Sequence, residues 1–235
     1  MSFLGIIIVA TGFLALYWVF YGQRKYNDMF MPKRKTELKA VLFDLDGVII
    51  DSFEASYLIF NDLRKLRNLS KMDKEEYRKK AWGKFIGENA KKYLKIDDMK
   101  EVEDEYNKSV LKHKLKSELM PDAEKVLETI KKKNIKVGLV TNTVRKFTMD
   151  ILKKHKIDSY FDAIVTGDDV EKPKPYPDPI LKACEKLNVM PDEVMYIGDT
   201  KYDYKAGKSA GAFVVGFNTH GDLMISNLND ILQLL

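Results

Sequence analysis

Four short stretches of the 235-residue chain carry residue types able to do chemistry. The stretch Phe43-Asp44-Leu45-Asp46-Gly47-Val48 sets two carboxylates one residue apart, directly after an apolar run. Such charges beside a buried strand are costly unless a cation or a proton neutralises them. Thr141-Asn142-Thr143 offers a hydroxyl and an amide able to bind an oxyanion, and Gly198-Asp199-Thr200-Lys201-Tyr202-Asp203 adds two more carboxylates. Lys172-Pro173-Lys174-Pro175-Tyr176-Pro177-Asp178-Pro179 is a proline-stiffened loop that presents a lysine. Three or four carboxylates with no histidine or cysteine among them suit a hard cation such as Mg²⁺, which keeps waters and favours phosphate oxygens, and make zinc a poor fit. A lysine and a Thr/Asn pair complete a set for a phosphoryl group, whose transfer depends on positioning and charge neutralisation.

These residues need strands to carry them. Near-continuous apolar runs at 39–44, 136–141, 163–167, 194–199 and 213–217 suit strands covered on both faces. Helical patterns at 121–133, 144–156, 178–187 and 201–209 alternate with the later runs, so the economical fold is α/β, a doubly wound parallel sheet. Ligands of such sheets bind at the carboxyl ends of the strands, where these polar residues fall. The interval from Asp51 to about Met120 has no convincing strand, while Phe53, Tyr57, Phe60 and Leu63, and again Met99, Val102, Tyr106 and Val110, recur at helical spacing. It reads as an inserted helical cap over 53–120, with the core domain formed by 38–52 and 121–235. Asp51 and Ser52 read as caps of the helix that follows, and Gly47 as a backbone requirement. His113, His155 and His220 read as ordinary surface residues. The single cysteine, Cys184, reads as a small core residue.

Charge divides the chain. Lys and Arg number 40 against 35 Asp and Glu, a formal +5, yet no charged side chain precedes Arg24. Residues 3–21 are apolar apart from Gly5, Thr11 and Gly12, and nineteen residues of helix span roughly 28 Å, close to a bilayer's hydrocarbon thickness. We expect a transmembrane anchor over 1–22 and a basic juxtamembrane linker over 23–37. The Tyr17, Trp18 and Tyr21 rings suit the membrane interface, and the linker's cations are expected to keep the body on the cytoplasmic side. The body itself is nearly neutral with mixed charges, unlike a nucleic-acid binder's basic stripe.

Taken in order, Asp44-Leu-Asp-Gly-Val48, Thr141-Asn142, Lys174-Pro-Tyr-Pro-Asp-Pro179 and Gly198-Asp-Thr-Lys-Tyr-Asp203 resemble the haloacid-dehalogenase-like (HAD) hydrolase superfamily, over essentially everything from Lys39 onward. The segment from Gly167 to Val189 and Gly207-Lys-Ser-Ala-Gly211 resemble its phosphoglycolate phosphatase branch. The resemblance implies an Mg²⁺-dependent phosphatase in which Asp44 is the nucleophile and Asp46 the general acid and then base. Asp44, the backbone carbonyl of Asp46 and Asp199 would hold the ion, with Asp203 positioning a water ligand or Lys174. Thr141 and the amide of Asn142 would bind phosphate oxygens, and Lys174 would neutralise phosphate and Asp44. The form of the Asp46 motif argues against a dehalogenase or an ion pump. A β-phosphoglucomutase-like phosphomutase, an inorganic pyrophosphatase of the same superfamily and a non-enzymatic, membrane-tethered phosphate-binding module are the alternatives. Specificity is expected in the cap, where Lys84, within Trp82-Gly-Lys-Phe-Ile-Gly87, is a candidate for an anionic leaving group. The substrate is expected to be a small phosphorylated metabolite.

Overall fold

The structure is a computed structural model and describes residues 36–235. The expected anchor and most of the basic linker lie outside the described residues; among those described, no helix is long and apolar enough to cross a membrane.

Strand β1 (Ala40–Phe43) is followed by β2 (Ile50–Asp51), a helical excursion and β3 (Glu118–Leu119). Then come β4 (Lys136–Val140), β5 (Ala163–Val165), β6 (Val194–Gly198), β7 (Phe213–Phe217) and β8 (Leu223–Ile225). Six of these form one sheet in the order β5-β4-β1-β6-β7-β8, and every neighbouring pair is parallel. β1 lies between β4 and β6, with Ala40 opposite both Lys136 and Val194, and each of its four residues is fully buried. The chain builds outward from β1 in both directions, so the carboxyl end of β1 is the switch point at which open α/β sheets bind ligands.

The excursion holds α1 (Phe53–Leu66), α2 (Lys74–Lys80), α3 (Ile86–Asn89), a π turn, and α4 (Glu103–His113). α1 turns Tyr57, Phe60 and Leu63 inward against Tyr77, Trp82 and Leu94, which gives the cap its own apolar core. Ring pairs such as Phe53 with Trp82, edge on at 5.2 Å, fix the packing. Asp73 starts α2 by accepting the Glu76 N–H at 2.8 Å, and Glu75, Glu76, Lys79 and Lys80 then suit the two helix ends. The cap rests on the core domain through an apolar contact of Ile59, Val110 and Tyr106 with Phe147.

Around the sheet lie α5 (Ala123–Lys132), α6 (Arg145–Lys154), α7 (Asp178–Leu187) and α8 (Lys201–Ala210). α5 carries Glu124 in its first turn and Lys131 and Lys132 in its last, and buries Val126, Leu127 and Ile130 at its 3.6-residue spacing. α7 stops at Asn188 and α8 at Gly211, both in the left-handed region that ends helices.

Several expectations are corrected. The interval read as strand-free begins and ends in β2 and β3, which pair antiparallel where the chain leaves and re-enters the core. Strand β8 was not anticipated, because Leu223-Met224-Ile225 is too short an apolar run to stand out. Ser52 occupies the position before α1 but makes no side-chain cap; its hydroxyl donates to Asp46 instead. His113 is not a surface residue: its side chain is 14% exposed and Nε2 lies 3.0 Å from an Asp62 oxygen. Cys184 is buried and unpaired, as expected of a small core residue.

Leu127, on the inner face of α5, is fully buried. Leu127→Ala should destabilise the protein by about 2–5 kcal/mol, read as a lowered midpoint of denaturant unfolding.

Candidate active site

Asp44 follows β1 directly, its N–H donating to the Ile197 carbonyl at 2.9 Å, and its side chain is buried at the sheet's carboxyl edge. One carboxylate oxygen accepts from Lys174 Nζ at 2.8 Å. The same ammonium donates to Asp203 Oδ1 at 2.6 Å, to the Tyr196 hydroxyl at 3.0 Å and to the Val140 carbonyl at 3.2 Å. The Tyr196 hydroxyl in turn donates a hydrogen bond to Asp203 Oδ1 at 2.7 Å. Burial works against the Lys174 charge, but Asp203 and Asp44 outweigh it and hold its pKa above the usual lysine range. Asp203 is likewise penalised by burial, yet Lys174, Thr200 and Tyr196 hold its pKa below the usual carboxylate range.

Local sequence explains this placement. Thr200 and Asp203 form a reciprocal capping box on α8: Thr200 Oγ1 accepts from the Tyr202 and Asp203 N–H groups, and Asp203 Oδ2 accepts the Thr200 N–H at 3.0 Å. Gly198 makes room for it, since a Cβ there would stand 2.2 Å from the Asp203 Cβ. Asn142 fixes the lysine loop: its Oδ1 accepts the Lys174 N–H at 3.0 Å, and its Nδ2 donates to the Lys174 carbonyl at 3.0 Å and to the cap's Gly83 carbonyl at 3.1 Å. The Asn142 side chain is therefore committed to holding loops together. Thr141 is buried, and its hydroxyl accepts the Thr143 N–H at 3.0 Å. Lys172 lies outside the cluster, exposed and stacked over Tyr176.

Asp44, Asp199 and Asp203 each offer an oxygen within 4.8 Å of the others. Three carboxylates against the single Lys174 ammonium leave two uncompensated negative charges, which a divalent cation would balance. Asp199 supports that fit: Oδ2 accepts from the Trp82 indole N–H at 2.9 Å, while Oδ1 is buried with no partner. Its pKa is raised well above the usual range by burial and by the Asp203 and Asp44 charges, against the weaker pull of Trp82 and Lys174. Asp44 is pushed up to about 7, by burial first and by Asp203 and Asp46, with Lys174 opposing. Gly47, at φ +84°, lets the backbone pass Asp199, where a Cβ would fall 2.3 Å from Oδ2.

Asp46 is not part of that group. It accepts from Ser52 on Oδ1, and from Lys114 at 2.9 Å and Thr143 Oγ1 at 2.6 Å on Oδ2. Burial would raise its pKa, but Lys114, Ser52 and Thr143 prevail and hold it low. Asp44, Asp46, Thr141, Trp82, Lys84 and Lys114 all line one cavity of about 90 Å³ between cap and core. Lys84, expected to face an anion, does reach the cavity, but it is nearly buried and paired with Glu88 at 2.9 Å. Sequence reasoning missed Lys114, one of many lysines in its segment with nothing local to distinguish it; Ser52 was read only as a helix cap, and Thr143, quoted with Thr141 and Asn142, was given no role toward Asp46.

The chain belongs to the haloacid dehalogenase-like hydrolase family, whose model matches residues 41–217. Fold and site together define a hydrolase acting on phosphoric ester bonds. The chain is similar to the pyrophosphatase PpaX of Bacillus cereus (strain Q1), 33% identical over 214 residues that cover 85% of this chain and 97% of that one. It is also similar to a crystal structure from Haemophilus somnus 129PT described as a predicted phosphoglycolate phosphatase, at TM-score 0.72 and 25% identity, covering 85% of this chain and 99% of that one. A hydrolase from Pseudomonas syringae shares the fold at TM-score 0.72 and 24% identity, covering 83% of this chain and 96% of that one.

A buried acid whose pKa is raised on folding favours the folded state only while it holds its proton. For Asp44 that contribution is complete below the unfolded value of 3.8 and is lost as pH rises through about 7. Metal-free protein should therefore weaken over this window. Added Mg²⁺ should raise Tm more above pH of about 7 than at mildly acidic pH; calorimetry showing an equal or larger gain on the acidic side would contradict this.

Proposed function

We propose that the chain is an Mg²⁺-dependent phosphatase of small phosphate monoesters working through an aspartyl-phosphate. The observation that carries this reading is Asp44 itself, at the end of the central strand, facing the cavity with one oxygen fixed by Lys174 and with Asp46 two residues on lining the same cavity. Asp44 attacks phosphorus, and Lys174 offsets charge on the nucleophile and on the phosphoryl oxygens. Thr141 borders the phosphoryl position. Asp46 gives a proton to the leaving oxygen and takes one from the water that cleaves the intermediate. Asp44, Asp199 and the backbone carbonyl of Asp46, with Asp203 beside them, would hold an Mg²⁺ ion, which would offset the charge of the transferring group.

Phosphoglycolate is the first candidate substrate. Inorganic pyrophosphate is the second reading, favoured by the one-third identity to PpaX over nearly that protein's whole length. The cavity of about 90 Å³ suits either compact molecule. The first 22 residues anchor the enzyme in a membrane with the catalytic body on the cytoplasmic side, a reading supported by their charge-free, apolar sequence and the cations that follow.

Purified protein with Mg²⁺ should release phosphate from a panel of small phosphoesters and pyrophosphate. Asp44→Asn should lower kcat by about 10³-fold or more. An Asp44→Asn enzyme of undiminished activity would sink the mechanism. Removing 1–35 should leave the turnover of soluble substrates unchanged if the anchor only addresses the enzyme, and phosphate-release kinetics on the truncated protein measure this.

A further inference from the structure

Three cations line the cavity, and they are not equivalent. Lys174 is enclosed by two carboxylates, a phenol and a carbonyl. Lys84 is neutralised one helical turn away by Glu88. Lys114 has no acid of the cap as its partner: it lies just past α4, is 7% exposed, and sends its ammonium across to the core, 2.9 Å from Asp46 Oδ2 and 2.6 Å from Thr143 Oγ1. Its charge is thus a cap charge facing the reacting end of the site.

Resting on the phosphatase reading above, we propose that Lys114 is the specificity-determining residue, and that it selects substrates whose leaving group carries its own negative charge. The leaving oxygen must come within hydrogen-bond reach of Asp46. Whatever that oxygen is attached to then lies within reach of an ammonium 2.9 Å from the same carboxylate. A nearly buried cation there favours an anion and penalises a neutral group, because its charge-assisted bonds strengthen as water is excluded. The cavity, about 90 Å³, keeps the second anion close to the phosphoryl group. The substrate class is a compact phosphoester or phosphoanhydride with an anion at each end, the second being a carboxylate or a phosphate.

Paired substrates test this: 2-phosphoglycolate against ethyl phosphate for a carboxylate, and pyrophosphate against phenyl phosphate for a phosphate. In Lys114→Met the kcat/KM ratio of the anionic to the neutral member should fall about 10- to 100-fold in at least one pair, the size expected for a lost charge-assisted bond. The pair that responds identifies the second anion, and Lys114→Arg should retain most of the preference. A ratio is internal to one preparation, so partial unfolding moves both rates alike; Lys114→Gln gives the same comparison should the methionine variant not fold. An unchanged ratio, or a fall in Lys84→Met but not in Lys114→Met, overturns the assignment while leaving the phosphatase reading intact. Failure of the wild-type chain to hydrolyse any of the four overturns both.

Discussion

The arrangement turns on one buried ammonium. Lys174 is 2% exposed and bonded to both Asp44 and Asp203, whose charges hold its proton in place against the cost of burial. An ion group in this position contributes little net stability over an apolar equivalent, yet removing one member leaves the others buried and unpaired. The surrounding structure is therefore committed to all three. The capping box of α8 holds Asp203, Asn142 holds the lysine loop, and β1 delivers Asp44 from the middle of the sheet.

The same group explains why the site asks for a cation. Lys174 offsets one of three clustered carboxylates, and the remaining repulsion shows in the raised pKa values of Asp44 and Asp199, where burial and neighbouring charge act together. Asp46, two residues from Asp44, escapes this because its own lysine and two hydroxyls satisfy it. In the metal-free protein the two carboxylates are thereby driven in opposite directions, and a cation beside Asp44 would favour the ionised form that a nucleophile needs.

Much of this was legible because it is local. Strand-end motifs carry their chemistry within a few residues of an apolar run, and strand ends are where a parallel sheet gathers its site. The five anticipated strands and four core helices follow from that alternation. What was not legible depends on the chain's return through space. Lys114 is set apart from Lys112 and Lys116 only by where the chain comes back to the core, and Ser52, ideally placed as a helix cap, is drawn instead to a carboxylate six residues earlier. The Asn142 side-chain amide is held by backbone groups of two loops that no local pattern brings together.

The polar fastenings between cap and core have one property in common. Trp82 grips Asp199, Lys114 grips Asp46 and Thr143, and Asn142 grips the Gly83 carbonyl, while the neighbouring contact of Tyr106 with Phe147 is apolar. Each latch thus uses a residue that lines the cavity. A guest that engages Asp199 or Lys114 competes with a latch, so occupancy and closure are linked equilibria, and each must alter the other by the same factor. Exchanging one set of partners for the other would let a guest bind without any buried ion being left bare.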